Sequence, residues 1–184
     1  ASQGHIGRAR HLAKSEEART RRQAILKISL LITDVASAFK AAQVLVEAAK
    51  AEAEEEAEKR DDAELASLKE AWGQQGSKLT QGGAKVVKDL EKEQKSRTTR
   101  MVRDYLDRAL LDIATLYRDI LLIQANSLDS TINTDLISEI TKISNSTTPE
   151  ATLAKLEAIM SARTNLSHNA APLLTIEALM VSLK

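Results

Sequence analysis

Cysteine is absent from this 184-residue chain, aromatic residues make up only 2% of it, and it holds two prolines and six glycines. Without cysteine there is no disulfide, no thiolate nucleophile and no zinc site built on sulfur, which fits a reducing cytoplasm. With so few aromatic rings, any core must be assembled from Leu, Ile, Val and Ala, and single-stranded nucleic acid finds little to stack on. Charge of one sign is lacking as well. The 26 basic and 26 acidic residues cancel, so no global field draws the chain to nucleic acid or to an anionic membrane. Binding must be local. No run approaches the roughly 20 apolar residues that span a bilayer, and the start, ASQGHIGRARHLAK, holds no apolar signal core. A soluble, cytoplasmic protein is expected.

What is present is helical periodicity. In VRDYLDRALLDIATLYRDILLIQAN, residues 102 to 126, the apolar positions Val102, Leu106, Ala109, Ile113, Leu116, Ile120 and Ile123 recur at alternating spacings of four and three. That repeat is the mark of a helix with helical neighbours. Leu110, Ala114, Tyr117 and Leu121 widen the stripe to about half the circumference, broader than a two-stranded coiled-coil seam. Asp104, Asp107, Arg108, Asp112, Thr115, Arg118 and Asp119 form the polar side, interrupted by Leu111 and Leu122. Two leucines among charges predict a second contact.

Breakers and caps divide the rest. Residues 2 to 13 read as a short basic helix, and Ser15 can cap a second one reaching about Leu31. Thr33 or Asp34 can cap a third, which runs from Val35 to about Trp72, where Gly73 ends it. Four of the six glycines fall in GQQGSKLTQGG, residues 73 to 83, so a mobile loop is expected there. A second long helix then runs from near Ala84 to about Asn126, and the two fold back as an antiparallel hairpin. Residues 50 to 70 carry nine acids against four bases, and residues 85 to 103 seven bases against three acids. Opposite signs therefore face each other, although exposed pairs contribute only about 0.2 to 1 kcal/mol each. A turn, DSTIN, leads to a short helix from Thr134 to about Ser144. Thr148 and Pro149 mark the start of a helix that sets Leu153, Leu156, Ile159, Met160 and Leu166 on one side, and Pro172 opens a last helix. The expected fold is all-α: a helical bundle of six or seven helices, without strands, carrying a long helical hairpin at about residues 50 to 100.

Reactive chemistry finds little support. His5, His11 and His168 have no Asp, Glu or His partner at helical metal-site spacing, so no metal is expected. The acids of EAEEEAEKRDDAE are explained by solvation and helix propensity, and no catalytic pair stands out. GGAK at residues 82 to 85 lacks the spacing and the hydroxyl of a phosphate-binding loop. Glu177 falls between Leu173 and Val181 on a largely apolar surface. It either pairs with an Arg or Lys in the bundle or across a subunit contact, or reaches water on a half-covered helix. Residues 1 to 27 hold seven bases against two acids. Arg8, Arg10, Arg19, Arg21 and Arg22 can touch phosphate, but without a groove-reading motif a solvated face is the favoured reading.

Three passages, GHIGRARHLA at residues 4 to 13, LDRALLDIATLYRDILLIQAN at 106 to 126 and NAAPLLTIEALMVSLK at 169 to 184, carry a resemblance. So do ARTRRQAILKI at 18 to 28, EKEQKSRTTR at 91 to 100 and TTPEATL at 147 to 153. Together they resemble the delta-prime subunit of bacterial DNA polymerase III, in its actinobacterial form. The resemblance implies an AAA+ module, a helical lid and a C-terminal helical collar, of which this chain covers the last part. Residues 1 to 31 would hold the end of the lid and connector helices, and residues 32 to 184 the collar domain. Arg8, within GRAR, lies where AAA+ relatives carry the sensor-2 arginine that approaches nucleotide phosphate, with no Walker loop here to supply a nucleotide.

The resemblance also implies an assembly module of a DNA-directed DNA polymerase holoenzyme, with no reaction and no cofactor of its own. Its partners would be the clamp-loader delta and tau/gamma subunits, and DNA would be met only through the complex. Leu111, Leu122, Glu177, Leu179 and Val181 are the expected interface residues. The alternative is a free-standing helical adaptor that self-associates through its hairpin.

Overall fold

The computed structural model describes residues 6–71 and 81–184. Among them are seven α-helices and no strand, so the fold is all-α. The helices are α1 Ile6–Lys14, α2 Glu16–Leu30, α3 Val35–Ala71, α4 Gln81–Gln124, α5 Ile137–Ser146, α6 Pro149–Ser167 and α7 Pro172–Ser182. Two single 3-10 turns, Leu128–Ser130 and Thr134–Leu136, lie between α4 and α5. The start expected at Thr134 is therefore the second turn, and α5 follows it. His5, Trp72, Gly73 and most of the expected glycine loop lie outside the described residues. No described helix is long and apolar enough to cross a membrane.

Local chemistry explains where the helices begin and end. Ser15 Oγ accepts the Ala18 N–H at 3.1 Å, satisfying one of the donors that a helix start leaves open. Between the two possible caps of α3 the structure selects Asp34, whose Oδ1 accepts the Ser37 N–H at 2.7 Å. Ser37 Oγ in turn accepts the N–H groups of Thr33 and Asp34, each at 3.0 Å. This is a reciprocal capping box with serine in the return position, and the Ser37 N–H holds the Asp34 carboxyl below its ordinary value. Thr148 caps α6 through the Ala151 N–H at 3.2 Å, with Pro149 in the first turn.

Asn126 and Asn169 take φ of 57° and 64°, the left-handed conformation that stops a helix. Each is followed by the hydrogen bond that closes such a stop, Ser127 N–H to Leu122 O at 2.8 Å and Ala170 N–H to Asn165 O at 3.0 Å.

α4 departs from expectation at its start, since Gly82 and Gly83 are helical and no loop separates them from Ala84. Glycine costs about 1 kcal/mol against alanine in a helix. Gly83 is buried, however, where a side chain would have to be accommodated.

The chain forms two compact units. One comprises the described residues of Ala1–Val46 together with Leu106–Lys184, the other Glu47–Tyr105. The divisions fall inside α3 and α4, and α1 and α2 belong to the same unit as α5, α6 and α7.

In the first unit the repeat on α4 supplies the core. Leu106, Ala109, Leu110, Ile113, Leu116, Tyr117 and Ile120 are buried with Leu26, Leu45, Val46, Ile140, Ile159, Ile176 and Met180. Each large aliphatic side chain contributes about 1.5 to 3 kcal/mol by leaving water. Burial pushes the Tyr117 hydroxyl up to about 12. Lys155 stands 6.0 Å from that ring's centroid and donates to the carbonyls of Leu183 and Lys184 at 2.8 and 3.0 Å. On α6 the apolar residues divide. Ile159 and Leu166 are buried with Thr152 and Ala162, while Leu153 and Met160 are exposed, so the single side expected for them does not exist.

The second unit is packed with small residues. Ala49, Ala53 and Ala57, one helical turn apart, are buried. Gln94 Nε2 donates to Asp61 O at 3.1 Å and to Glu64 Oε2 at 3.2 Å, and Arg97 forks onto Glu64 at 2.9 and 2.6 Å. Tyr105 donates to Glu56. Since residue 56 meets 105 and residue 64 meets 97, the helices run antiparallel. Of the bases between Lys85 and Arg103, Arg97 alone forms an ion pair across the hairpin among the described residues. Charge complementarity is thus concentrated at one point.

Candidate functional site: a buried polar seam and an apolar last helix

Asp112, Thr115 and Asp119 fall on one line of α4, three and four residues apart, and all three are buried. The seam they form lies wholly within the first unit. Asp112 Oδ1 accepts from Arg8 Nη2 and, at 3.0 Å, from Arg22 Nε. Arg22 Nη2 continues to Asn133 Oδ1 and, at 3.4 Å, to Thr115 Oγ1. Asn133 Nδ2 donates to Asp119 Oδ2 at 2.7 Å, and the same oxygen accepts the backbone N–H groups of Ile132 and Asn133 at 2.9 and 2.7 Å. Arg118, largely exposed, adds a contact to Asp119 Oδ1 at 3.2 Å. Within the seam two guanidinium groups balance two carboxylates, which is the condition for tolerating buried charge. Burial nevertheless pushes the Asp112 carboxyl above its ordinary value, against the pull of Arg8 and Arg22.

The seam is a structural anchor. α1 buries none of its residues and is tied to α4 by Arg8 on Asp112, and Asp119 fastens the connection after α4 by taking its backbone donors. Arg8 is thereby turned into the protein and not toward a phosphate. Arg22 is engaged likewise, and Arg19 donates to Leu12 O and Ala13 O at 2.9 and 3.1 Å, closing the end of α1. Three of the five arginines read as possible phosphate contacts therefore hold the N-terminal helices in place. Periodicity places Asp112, Thr115 and Asp119 on the polar side of α4, and that polar side is buried at these three positions.

The expected interface residues separate. Leu111 and Leu122 are half-buried. Leu179 is 3% exposed and belongs to the core, which removes it from any docking surface. Val181 is exposed, and so are Leu173 and Leu174, the last at 67%. Glu177, half-buried, lies on the same outward side of α7 as Leu173 and Val181, without an ion pair among the described residues. α7 is thus apolar on both sides: Ile176, Leu179, Met180 and Leu183 inward, Leu173, Leu174 and Val181 outward.

His11 and His168 are exposed, and no group of three or more His, Asp or Glu among the described residues is placed to hold a metal ion. These features define an all-α bundle whose polar seam is structural and whose last helix presents apolar side chains to solvent. No family model, no curated protein and no solved structure matches the chain.

Proposed function

We propose that the chain is a protein–protein assembly module, and specifically the C-terminal collar region of a delta-prime subunit of a bacterial DNA polymerase III clamp loader. The observation that carries the module reading is α7. Apolar side chains on the outward side of a helix whose inward side is already core call for a covering surface, and Leu174 is 67% exposed beside Glu177. The passages that resemble delta-prime narrow the reading, since NAAPLLTIEALMVSLK contains this same helix and LDRALLDIATLYRDILLIQAN is the C-terminal half of α4 with the two residues after it. In this role the chain has no reaction of its own. It packs beside the collar domains of the delta and tau/gamma subunits and helps hold the ring that loads the sliding clamp on primed DNA, which it meets through the complex.

The test is reconstitution. The double substitution Leu174→Asp with Val181→Asp leaves helicity and melting temperature unchanged and lowers recovery of a complex with purified actinobacterial delta and tau/gamma subunits at least about tenfold, as loss of a central apolar contact does. Equal recovery of the variant and the unaltered chain would sink the assignment. Concentration-dependent dimerisation in sedimentation, abolished by changes in residues 47–105 and indifferent to those in α7, would establish the self-associating adaptor instead.

A further inference from the structure

The second unit carries a charged surface that neither its packing nor the assembly reading uses. Lys85, Lys88, Lys92 and Lys95 are all exposed on α4. At 100° per residue they fall within an arc of about 80°, and from first to last they extend about 15 Å along the axis. Gln94 and Arg97, the α4 residues that meet α3, lie on the opposite side. None of the four lysines forms an ion pair among the described residues, whereas Arg97, two residues beyond the last of them, is paired to Glu64 at 2.6 Å. Asp89 and Glu93 border the arc on one side and Glu91 on the other, outside the stripe itself. The result is a straight row of ammonium groups, about one per helical turn, without an ion-pair partner among the described residues.

We propose that this lysine stripe is a contact surface for the phosphate backbone of duplex DNA, made without reading sequence. The spacing suits a polyanion of high and regular charge. Duplex DNA carries one negative charge per roughly 1.7 Å of axis, so about nine phosphates pass within the length of the stripe, and flexible lysines find partners in any register. Lysine is a mobile point charge without the planar fork that base readout favours, and between Lys85 and Lys95 no Asn, Gln or Arg lies on the arc to read a base edge. Single strands are disfavoured because no aromatic side chain lies between the lysines. A lipid surface is disfavoured because the arc holds no apolar residue to insert, the apolar side of α4 being turned to α3. The bordering acids keep the contact weak and strongly dependent on salt. This inference stands apart from the clamp-loader reading, in which DNA is reached through neighbouring subunits.

The experiment is fluorescence anisotropy of a labelled random-sequence duplex titrated with the full chain. Four neutralised phosphates give a slope of log affinity against log salt of about −3.6, hence a loss on the order of 100-fold between about 50 and about 200 mM salt. Replacing all four lysines (K85Q, K88Q, K92Q and K95Q) lowers affinity at low salt at least tenfold and brings the slope near zero, and K88Q with K95Q alone halves the slope. A control with the same change of charge elsewhere (K14Q, K27Q, K40Q and K142Q) keeps both affinity and slope, with helicity checked by circular dichroism throughout. The proposal is overturned if the unaltered chain does not bind the duplex at low salt, or if stripe and control variants weaken alike. It is equally overturned if phosphatidylserine–phosphatidylcholine vesicles bind through the lysines while the duplex does not. Retained recovery with delta and tau/gamma by the stripe variant separates this outcome from the fate of the assembly reading.

Discussion

Asp112 is the residue on which the N-terminal helices depend. Its carboxylate takes both Arg8 and Arg22, and removing it takes the shared anion away from two nearly buried guanidinium groups. Asp112→Ala is therefore expected to lower unfolding free energy by about 3 to 5 kcal/mol, read from the midpoint of urea unfolding, whereas Asp107→Ala, which breaks only the part-exposed pair with Arg163 at 2.7 Å, shifts the midpoint by about 1 kcal/mol or less. Equal effects would mean that the seam is not what holds α1 and α2. This seam was the least legible part of the sequence. Arg8 and Arg22 lie 104 and 90 residues from Asp112, and no local pattern announces a pairing over that distance. On a helical wheel the three seam residues are indistinguishable from a solvent face, because periodicity registers polarity and not the neighbour that neutralises it.

Helical elements were far more legible, for the reason that caps act locally. Ser15, Asp34, Thr148, Pro149 and Pro172 each do their work within four residues of themselves, and all of them stand at a helix start. What periodicity did not resolve was the side of α6, where Leu153 and Met160 share hydrophobicity with Ile159 and Leu166 but not their burial. A helix with apolar residues around most of its surface has no preferred face until its neighbours choose one.

In the hairpin, Glu64 ties α3 to α4, and the hydrogen bond from Arg97, followed by that from Gln94, holds its carboxyl below the ordinary 4.5. The folded state thus takes up the Glu64 proton less readily than the unfolded chain. The stabilisation is fully present above that ordinary value and is lost as pH falls below it. Thermal melts followed by circular dichroism should fall more steeply between neutral pH and pH about 3 for the unaltered chain than for Glu64→Gln. Identical slopes would remove Glu64 from the account of the hairpin.

Across the whole molecule, α4 runs 44 residues through two environments. Between Leu106 and Ile120 it is packed by large aliphatic side chains, whereas between Ala84 and Arg100 Gln94 alone is buried and Arg97 pairs with Glu64. Hydrogen exchange should divide the helix accordingly. Amides of residues 106–120 are expected to exchange more slowly than those of residues 84–100 by on the order of 100-fold, since local opening follows the density of buried apolar contact. Uniform protection along α4 would show one cooperative element.

The row Ala49, Ala53 and Ala57 has a further consequence. A row that repeats every four residues matches itself when displaced by one step, about 6 Å along the axis, so its shape holds no information about alignment. Degeneracy of that kind has to be broken elsewhere. In this hairpin the address is written in Gln94, Arg97 and Tyr105, a code of three letters, each hydrogen bond of which is worth only about 1 kcal/mol.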